Sequence, residues 1–197
     1  IADELVDGAA AQAHTDPAAA LDAYEKTILA APQQRLHTDP VVHAYAITAR
    51  RCGFHREHLV AFFSSMRADL THREYSPSEL QDYIYGSAEA IGLLCLQIFL
   101  AEENVSPADR AAMERGARAL GSAFQKINFL RDLREDSSTL GRTYFQQAPS
   151  GRIDEATKSA LIAEIRRELA TAALTIDLLP ASARVGVSAA ADIFAEL

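Results

Sequence analysis

Four helix starts are visible in this sequence, and they constrain its fold more than any other feature. Each is a capping Asp or Ser followed directly by proline, a residue favoured in the first turn of a helix: Asp16-Pro17, Asp39-Pro40, Ser76-Pro77 and Ser106-Pro107. Apolar residues then recur at helical spacing, as in Leu59, Phe62, Phe63, Met66 and Leu70. We find no stretch that alternates like a strand and no internal repeat. The pattern predicts an all-α bundle of seven or eight helices in a single domain, residues 1–197, with ligand sites between the helices.

Composition and charge exclude several classes of protein. The 197 residues are 49% hydrophobic, with no tryptophan, which favours a folded helical domain over disorder. The net charge of −8 disfavours nucleic acid as a partner, because there is no basic surplus to displace phosphate counterions. The longest apolar run, residues 90–101, is about half the length of a membrane-spanning helix. Cys52 and Cys95 lack metal-ligand spacing, so we expect buried, reduced thiols and a reducing compartment.

A polar stripe marks the segment that begins at Gln125. Since a helix advances about 100° per residue, four polar side chains fall within about 80° of arc on one face: Gln125, Asn128, Asp132 and Asp136. The opposite face is apolar and is expected to pack on the core; it carries Ala123, Ile127 and Leu130. Asp132 and Asp136 are like charges one turn apart, which costs roughly a few tenths of a kcal/mol in an isolated helix. A bound cation would reverse the sign of that interaction.

A second pair of aspartates one turn apart, Asp3 and Asp7, opens the chain. Mg²⁺ takes oxygen ligands and is usually held by one or two carboxylates, while phosphate oxygens and water complete its shell. Two carboxylate pairs on facing walls of a helical bundle could therefore hold a cluster of Mg²⁺ ions over one diphosphate.

Other acidic and histidine pairs are weaker signals. Glu164 and Glu168 also lie one turn apart, but the arginines beside them indicate an ordinary solvated face. His55 and His58 lie three residues apart near a helix start, and without a third ligand we do not interpret them as a metal site.

Residues 125–145 resemble the second aspartate-rich region of the squalene/phytoene synthase family, whose pattern runs roughly QxxNxxRDxxEDxxxGRxYxP. The matching positions are Gln125, Asn128, Arg131, Asp132, Glu135, Asp136, Gly141, Arg142 and Tyr144. The opening DELVDG resembles the first aspartate-rich region of phytoene synthases, and residues 65–70, 83–92 and 179–184 resemble further segments of the family. The chain departs from the family pattern at Ser65, Glu89 and Gln146.

The resemblance implies an isoprenoid-synthase-like helical bundle with a central cavity. It implies that the catalytic residues are Asp3, Asp7, Asp132 and Asp136, and that these bind Mg²⁺, or Mn²⁺ in its place, together with Asn128. It further implies that the substrate-binding residues are Gln125, Asn128, Arg131, Arg142, Tyr83 and Tyr85. Core packing is an equal alternative for Tyr83 and Tyr85. For Asp69 the resemblance implies a position behind the metal ligands or beside the diphosphate, and a capped surface aspartate is an equal alternative.

The leading hypothesis is a phytoene synthase-like prenyltransferase of carotenoid biosynthesis that condenses two geranylgeranyl diphosphates head to head. The nearest alternative makes squalene or dehydrosqualene from farnesyl diphosphate; a non-catalytic assembly factor and a purely structural bundle are others. We expect no NADPH in the leading case, no nucleic acid and no obligate protein partner. A prenyl diphosphate substrate implies a cytoplasmic protein in peripheral contact with a membrane. Because the chain begins within a motif and ends within an apolar helical pattern, we expect further N-terminal and C-terminal helices in a longer natural protein.

Overall fold

The computed structural model describes residues 1–72, 74–135, 144 and 153–197. The α-helices of these residues are α1 (Ala2–Val6), α2 (Ala9–Gln12), α3 (Pro17–Ala30), α4 (Pro40–Cys52), α5 (Arg56–Thr71), α6 (Pro77–Ile84), α7 (Ala90–Phe99), α8 (Pro107–Glu135), α9 (Glu155–Ile176) and α10 (Ala181–Glu196). A 3₁₀ turn follows α3 at Ala31–Gln33, and a π-helical turn, called here the π-turn, spans Tyr85–Glu89. The prediction of an all-α fold is confirmed.

The helix starts follow from the capping residues. Asp16 and Asp39 each accept a hydrogen bond from the backbone N–H two residues further on, at 3.0 and 2.8 Å. Ser76 and Glu79 form a complete capping box, in which each side chain accepts from the backbone N–H of the other residue. The Oγ of Ser106 accepts from the N–H of Asp109, the third residue of α8, at 3.1 Å. All four predicted starts are confirmed.

The π-turn joins α6 and α7 into one continuous helical segment from Pro77 to Phe99. With that segment counted once, and with the one-turn helices α1 and α2 set aside, the described residues form seven long helices. A π-turn adds one residue to a helical turn and rotates the side chains that follow. Residues before and after Tyr85–Glu89 therefore face different neighbours than an unbroken α-helix would give them.

The long helix α8 packs against α9, α10, α7 and the π-turn, while α1 packs against α3 and α5. Close approach is possible because glycines stand where backbones meet. A Cβ on Gly121 would lie 2.7 Å from the carbonyl oxygen of Ala88, and one on Gly86 would collide with the carbonyl oxygen of Ala61. None of the helices in the described part of the chain is long and apolar enough to cross a membrane.

Candidate functional site

The polar stripe of α8 is oriented as the sequence predicts. Ala123 and Ile127 are buried, and Leu130 packs against the same core cluster, so the opposite face is turned away from that core. Of the stripe, Gln125, Asn128 and Asp132 lie within the described residues. Asp136, Gly141 and Arg142 lie outside them, and their predicted roles stay predictions.

Asn128 has an unsatisfied acceptor. Its Oδ1 is buried and has no hydrogen-bond partner among the described residues. A buried amide oxygen without a partner is costly, by about 1–3 kcal/mol, so folded proteins rarely keep one without a reason. An oxygen in this state suits a metal ion or a donor on a ligand, which supports the predicted ligand role of Asn128.

Asp132 is held by its neighbour on the same helix. The guanidinium of Arg131 donates from Nε to Oδ1 (2.7 Å) and from Nη2 to Oδ2 (2.6 Å). These hydrogen bonds lower the pKa of Asp132, so the carboxylate is ionised at neutral pH. Both partners are partly solvent-exposed, so the pair contributes roughly 0–1 kcal/mol and can be exchanged for a metal ion at little cost.

Asp3 and Asp7 share one side of α1. The N–H of Asp7 donates to the carbonyl oxygen of Asp3 at 2.9 Å, which is one helical turn, so the two side chains point the same way. Both residues are exposed. α5 packs against α1 and also against the π-turn, which in turn contacts α8, so α5 and the π-turn link the helix of Asp3 to that of Asp132.

An apolar cavity of about 570 Å³ lies among α7, α8, α9 and α10. Its walls are almost entirely aliphatic or aromatic, including Ile91, Leu96, Phe99, Met113, Leu120 and Phe124. Of the three stripe residues that the structure describes, Gln125 alone lines the cavity, so the cavity reaches the polar face of α8. The continuous helical segment from Pro77 to Phe99 contributes Ser87, Ala88 and residues after them to this wall.

The two cysteines are free, as predicted, but neither is buried. Cys52 is half-buried, and Cys95 is exposed on the wall of the apolar cavity. The expectation of two buried thiols was wrong: Cys95 is accessible because α7 lines an open cavity, and Cys52 is partly accessible at the end of α4.

Tyr83 lies in a buried aromatic cluster formed with Tyr75, Phe129 and Tyr144, whose ring centroids are 4.0–6.0 Å apart. Its hydroxyl donates to Oδ2 of Asp69 at 3.2 Å. Burial, and next the charge of Asp69, raise the pKa of Tyr83 far above its usual range, so the phenol stays protonated. Asp69 is only 5% exposed, so the alternative of a surface position for Asp69 is wrong.

Tyr85 faces a different set of neighbours from Tyr83. Its hydroxyl lies 3.2 Å from Nδ1 of His58, and the guanidinium of Arg118 stands over its ring at 5.5 Å. Arg118 also donates to the carboxylate of Glu89 at 2.6 Å. Neither Tyr83 nor Tyr85 is among the described residues that line the apolar cavity. Their substrate-binding role stays a prediction, with Tyr83 placed in the core.

Lys126 corrects the interpretation of Glu164 and Glu168 as a solvated face. Its Nζ lies 2.6 Å from a carboxylate oxygen of each, and its side chain is only 10% exposed. Ser122 also donates to Glu168. The spacing of the two glutamates was visible in the sequence, but nothing local indicated that a lysine of another helix would lie between them.

One group of three metal-binding side chains comes together in the described part of the chain, and it is not the predicted one. It consists of His55, Glu57 and His58, whose ligand atoms lie within 4.8 Å of one another. The described aspartates of the two acidic motifs do not form such a group. Asp3 and Asp7 on α1 are exposed and Asp132 on α8 is half-buried, and their donor chemistry, oxygen only, suits Mg²⁺.

Comparison with known proteins identifies relatives of this chain. The family described as Squalene/phytoene synthase matches residues 1–148. Phytoene synthase 3, chloroplastic, of Zea mays is 37% identical over 149 residues, which are 74% of this chain and 33% of that protein. The bifunctional lycopene cyclase/phytoene synthase of Blakeslea trispora is 27% identical over 136 residues, or 60% of this chain and 22% of that protein. The chain thus spans a third or less of the length of these relatives.

Solved structures share the fold. A squalene synthase, HpnC, from Alicyclobacillus acidocaldarius superposes with a TM-score of 0.80 at 21% identity, covering 99% of this chain and 77% of that one. A dehydrosqualene synthase in complex with ligand gives a TM-score of 0.79 at 22% identity, covering 99% of this chain and 70% of that one.

Proposed function

Because the chain belongs to the squalene/phytoene synthase family, we propose that it condenses two molecules of geranylgeranyl diphosphate head to head to form phytoene, through a cyclopropylcarbinyl diphosphate. The observation that carries the proposal is the apolar cavity that reaches Gln125, on the same helix as Asn128 and Asp132. A prenyl chain needs an apolar cavity, and its diphosphate needs polar groups at the cavity mouth.

Five side chains would hold the Mg²⁺ ions: Asp3, Asp7, Asn128, Asp132 and Asp136. When bound, Mg²⁺ supplies Lewis-acid stabilisation of the negative charge on the departing diphosphate. The unsatisfied Oδ1 of Asn128 and the ionised carboxylate of Asp132 are the observations that support this set.

The remaining residues of the site bind the substrate and exclude water from it. Arg131, released from Asp132, and Arg142 would contact diphosphate oxygens, since guanidinium groups bind phosphate through paired hydrogen bonds. Gln125 would lie where the charged head of the substrate meets its apolar tail. The apolar walls keep water away from the allylic cation, which water would quench.

The proposal is tested by incubating the protein with geranylgeranyl diphosphate and MgCl₂ and identifying the hydrocarbon by mass spectrometry. A C40 product is expected, with strongly reduced turnover in Asp132→Ala. Absence of turnover with any prenyl diphosphate would defeat the proposal, and unchanged turnover in Asp132→Ala would remove that residue from the mechanism.

A second candidate uses farnesyl diphosphate to make squalene or dehydrosqualene. It is favoured by the names of the two structural relatives, a squalene synthase and a dehydrosqualene synthase. Product analysis with farnesyl diphosphate, with and without NADPH, separates the two candidates. A C30 product in preference to C40 would select this one, and a dependence on NADPH would identify the reductive reaction.

We also propose that the protein takes its substrate from the surface of a membrane on the cytoplasmic side. The prenyl diphosphate is a lipid, and α10 carries the exposed apolar side chains of Val185 and Ile193. Flotation with phospholipid vesicles is expected to recover the protein, and recovery at the level of a vesicle-free control would contradict peripheral binding.

A further inference from the structure

The start of α5 brings together three side chains that are good ligands for a transition metal. His55 is the N-cap of α5, and Glu57 and His58 lie in its first turn. Two histidines three residues apart need a third ligand, and Glu57, which stands between them in the sequence, supplies one because it turns toward His55 with Nδ1 and Oε1 at 3.9 Å. The imidazole rings of His55 and His58 stack at 5.5 Å.

The backbone of this turn is fixed from a neighbouring helix. Gln97 of α7 donates from Nε2 to the carbonyl oxygen of Gly53 (3.1 Å), and its Oε1 accepts from the N–H of His55 (3.4 Å). These two hydrogen bonds hold the segment that carries His55 against α7. The ligands are therefore positioned by an element outside their own helix.

The ring of His58 is oriented by a hydrogen bond on one side. Its Nδ1 lies 3.2 Å from the hydroxyl of Tyr85, while Nε2 makes no hydrogen bond among the described residues. His58 is 7% exposed, so its ring has little freedom to rotate. Metal-binding histidines are commonly held this way, with one ring nitrogen hydrogen-bonded and the other on the metal.

The group opens into a cleft of about 710 Å³ between α5, α7 and α8, separate from the apolar cavity. The cleft wall also carries Glu114 and three arginines, Arg110, Arg115 and Arg118, and the charge of Arg118 is balanced by Glu89 at 2.6 Å. A ligand could reach the exposed side chains of His55 and Glu57 directly from solvent.

We propose that His55, Glu57 and His58 form a binding site for a divalent transition metal, with Zn²⁺ as the preferred ion. Two imidazoles and one carboxylate are a known zinc ligand set that leaves a fourth position for water. Ligand atoms about 2.1 Å from a common tetrahedral ion lie about 3.4 Å apart, which the exposed His55 and Glu57 can reach by small rotations. Mg²⁺, which prefers oxygen, would not compete for this site.

The site is tested by calorimetric titration of the metal-free protein with ZnCl₂ in the presence of excess MgCl₂, which occupies the carboxylate motifs. One zinc ion per chain is expected to bind. His55→Ala and Glu57→Gln, both at exposed positions, should each weaken zinc binding at least about tenfold. His72→Ala is the matched control, because His72 also stands 3.9 Å from a glutamate but has no second histidine beside it in the described structure.

Two results would overturn the site: no saturable zinc binding, or equal affinity in the parent protein and both variants. An independent measurement is thermal unfolding, in which zinc at about a hundredfold excess over its Kd should raise Tm by about 5 °C in the parent and in His72→Ala. The same shift in His55→Ala would contradict the assignment. Neither measurement depends on prenyltransferase activity, so failure here leaves the proposed function intact.

Discussion

Asn128 combines two properties that rarely occur together at one residue. It lies on the polar stripe between Gln125 and Asp132, and its buried Oδ1 has no partner in the described structure. Since the acceptor is already unsatisfied, removing it should cost little stability, while a role in ligand binding would make its loss severe for activity. A single variant at Asn128 should therefore lose activity while its stability stays nearly unchanged.

We predict that Asn128→Leu, which keeps the shape of the side chain, lowers kcat about tenfold to a hundredfold. The free energy of unfolding should change by less than about 1 kcal/mol. Turnover of geranylgeranyl diphosphate and urea unfolding measure the two quantities. Asn104→Leu, at an exposed asparagine, is the control. Parent-like kcat in Asn128→Leu would show that the orphaned oxygen serves no ligand.

Tyr45 carries another orphaned group that a single substitution can test. Its hydroxyl is buried without a hydrogen-bond partner among the described residues, and burial is the main cause that raises its pKa to about 12. Between pH 10 and about 12 the unfolded chain releases this proton and the folded protein keeps it, so stability falls as pH rises through that interval.

The protein should lose stability above pH 10, and Tyr45→Phe should remove the part of that loss that comes from the Tyr45 hydroxyl. Below pH 10 the variant should be as stable as the parent or up to about 1 kcal/mol more stable, because an unsatisfied hydroxyl has gone. Urea unfolding at a series of pH values gives the comparison. Parallel curves for the two proteins above pH 10 would contradict the assignment to Tyr45.

At the scale of a helix, the π-turn between α6 and α7 rotates the side chains that follow it and so determines which of them line the apolar cavity. The carbonyl oxygen of Tyr83 accepts from the hydroxyls of Ser65 (3.0 Å) and Ser87 (2.7 Å). Ser65 replaces the glycine usual in the family, and here its hydroxyl supplies a hydrogen bond to the last turn of α6, just before the π-turn. Gly86 lets the turn pack directly on α5.

Gly86→Ala should destabilise the fold by about 1–3 kcal/mol, because the new methyl group meets the fixed backbone of Ala61. Gly186→Ala is the matched control. It lies within α10 with no atom within 4 Å of the added Cβ, so it should stabilise by about 0.5–1 kcal/mol through helix propensity. Urea midpoints of the two variants should move in opposite directions; a tolerated Gly86→Ala would mean that α5 and the π-turn are not in close contact.

The sequence predicts local features of these helices well and their mutual arrangement poorly. Capping by Asp39 or Ser76 depends on neighbours within three residues, so these helix starts could be located from the sequence. Nothing in the local pattern indicated the π-turn, so the different neighbours of Tyr83 and Tyr85 could not be predicted. The pairing of Lys126 with Glu168 joins residues 42 positions apart, beyond the reach of any local pattern.

At the scale of the whole molecule, the apolar cavity is assembled by four successive helices, α7, α8, α9 and α10. Along α8 it extends from Met113 to Gln125, which is about 18 Å of helix. Periodicity could indicate that α7 is apolar, but not that α9 and α10 would stand away from it and leave a hollow. The length of this hollow is the property that should distinguish a C20 substrate from a C15 substrate.

Cys95 is placed to test that relation, since it is exposed on the cavity wall between Ile91 and Phe99. We predict that Cys95→Trp shortens the usable cavity and lowers kcat/KM for geranylgeranyl diphosphate at least about tenfold more than for farnesyl diphosphate, because the longer tail loses its apolar contacts. Ile98→Trp, at an exposed position of α7 that is not among the lining residues, should leave the ratio of the two kcat/KM values unchanged. Steady-state kinetics with both substrates measure that ratio, and thermal unfolding checks that both variants are folded. An equal reduction of both kcat/KM values in Cys95→Trp would show that the cavity among α7, α8, α9 and α10 does not bind the end of the prenyl tail.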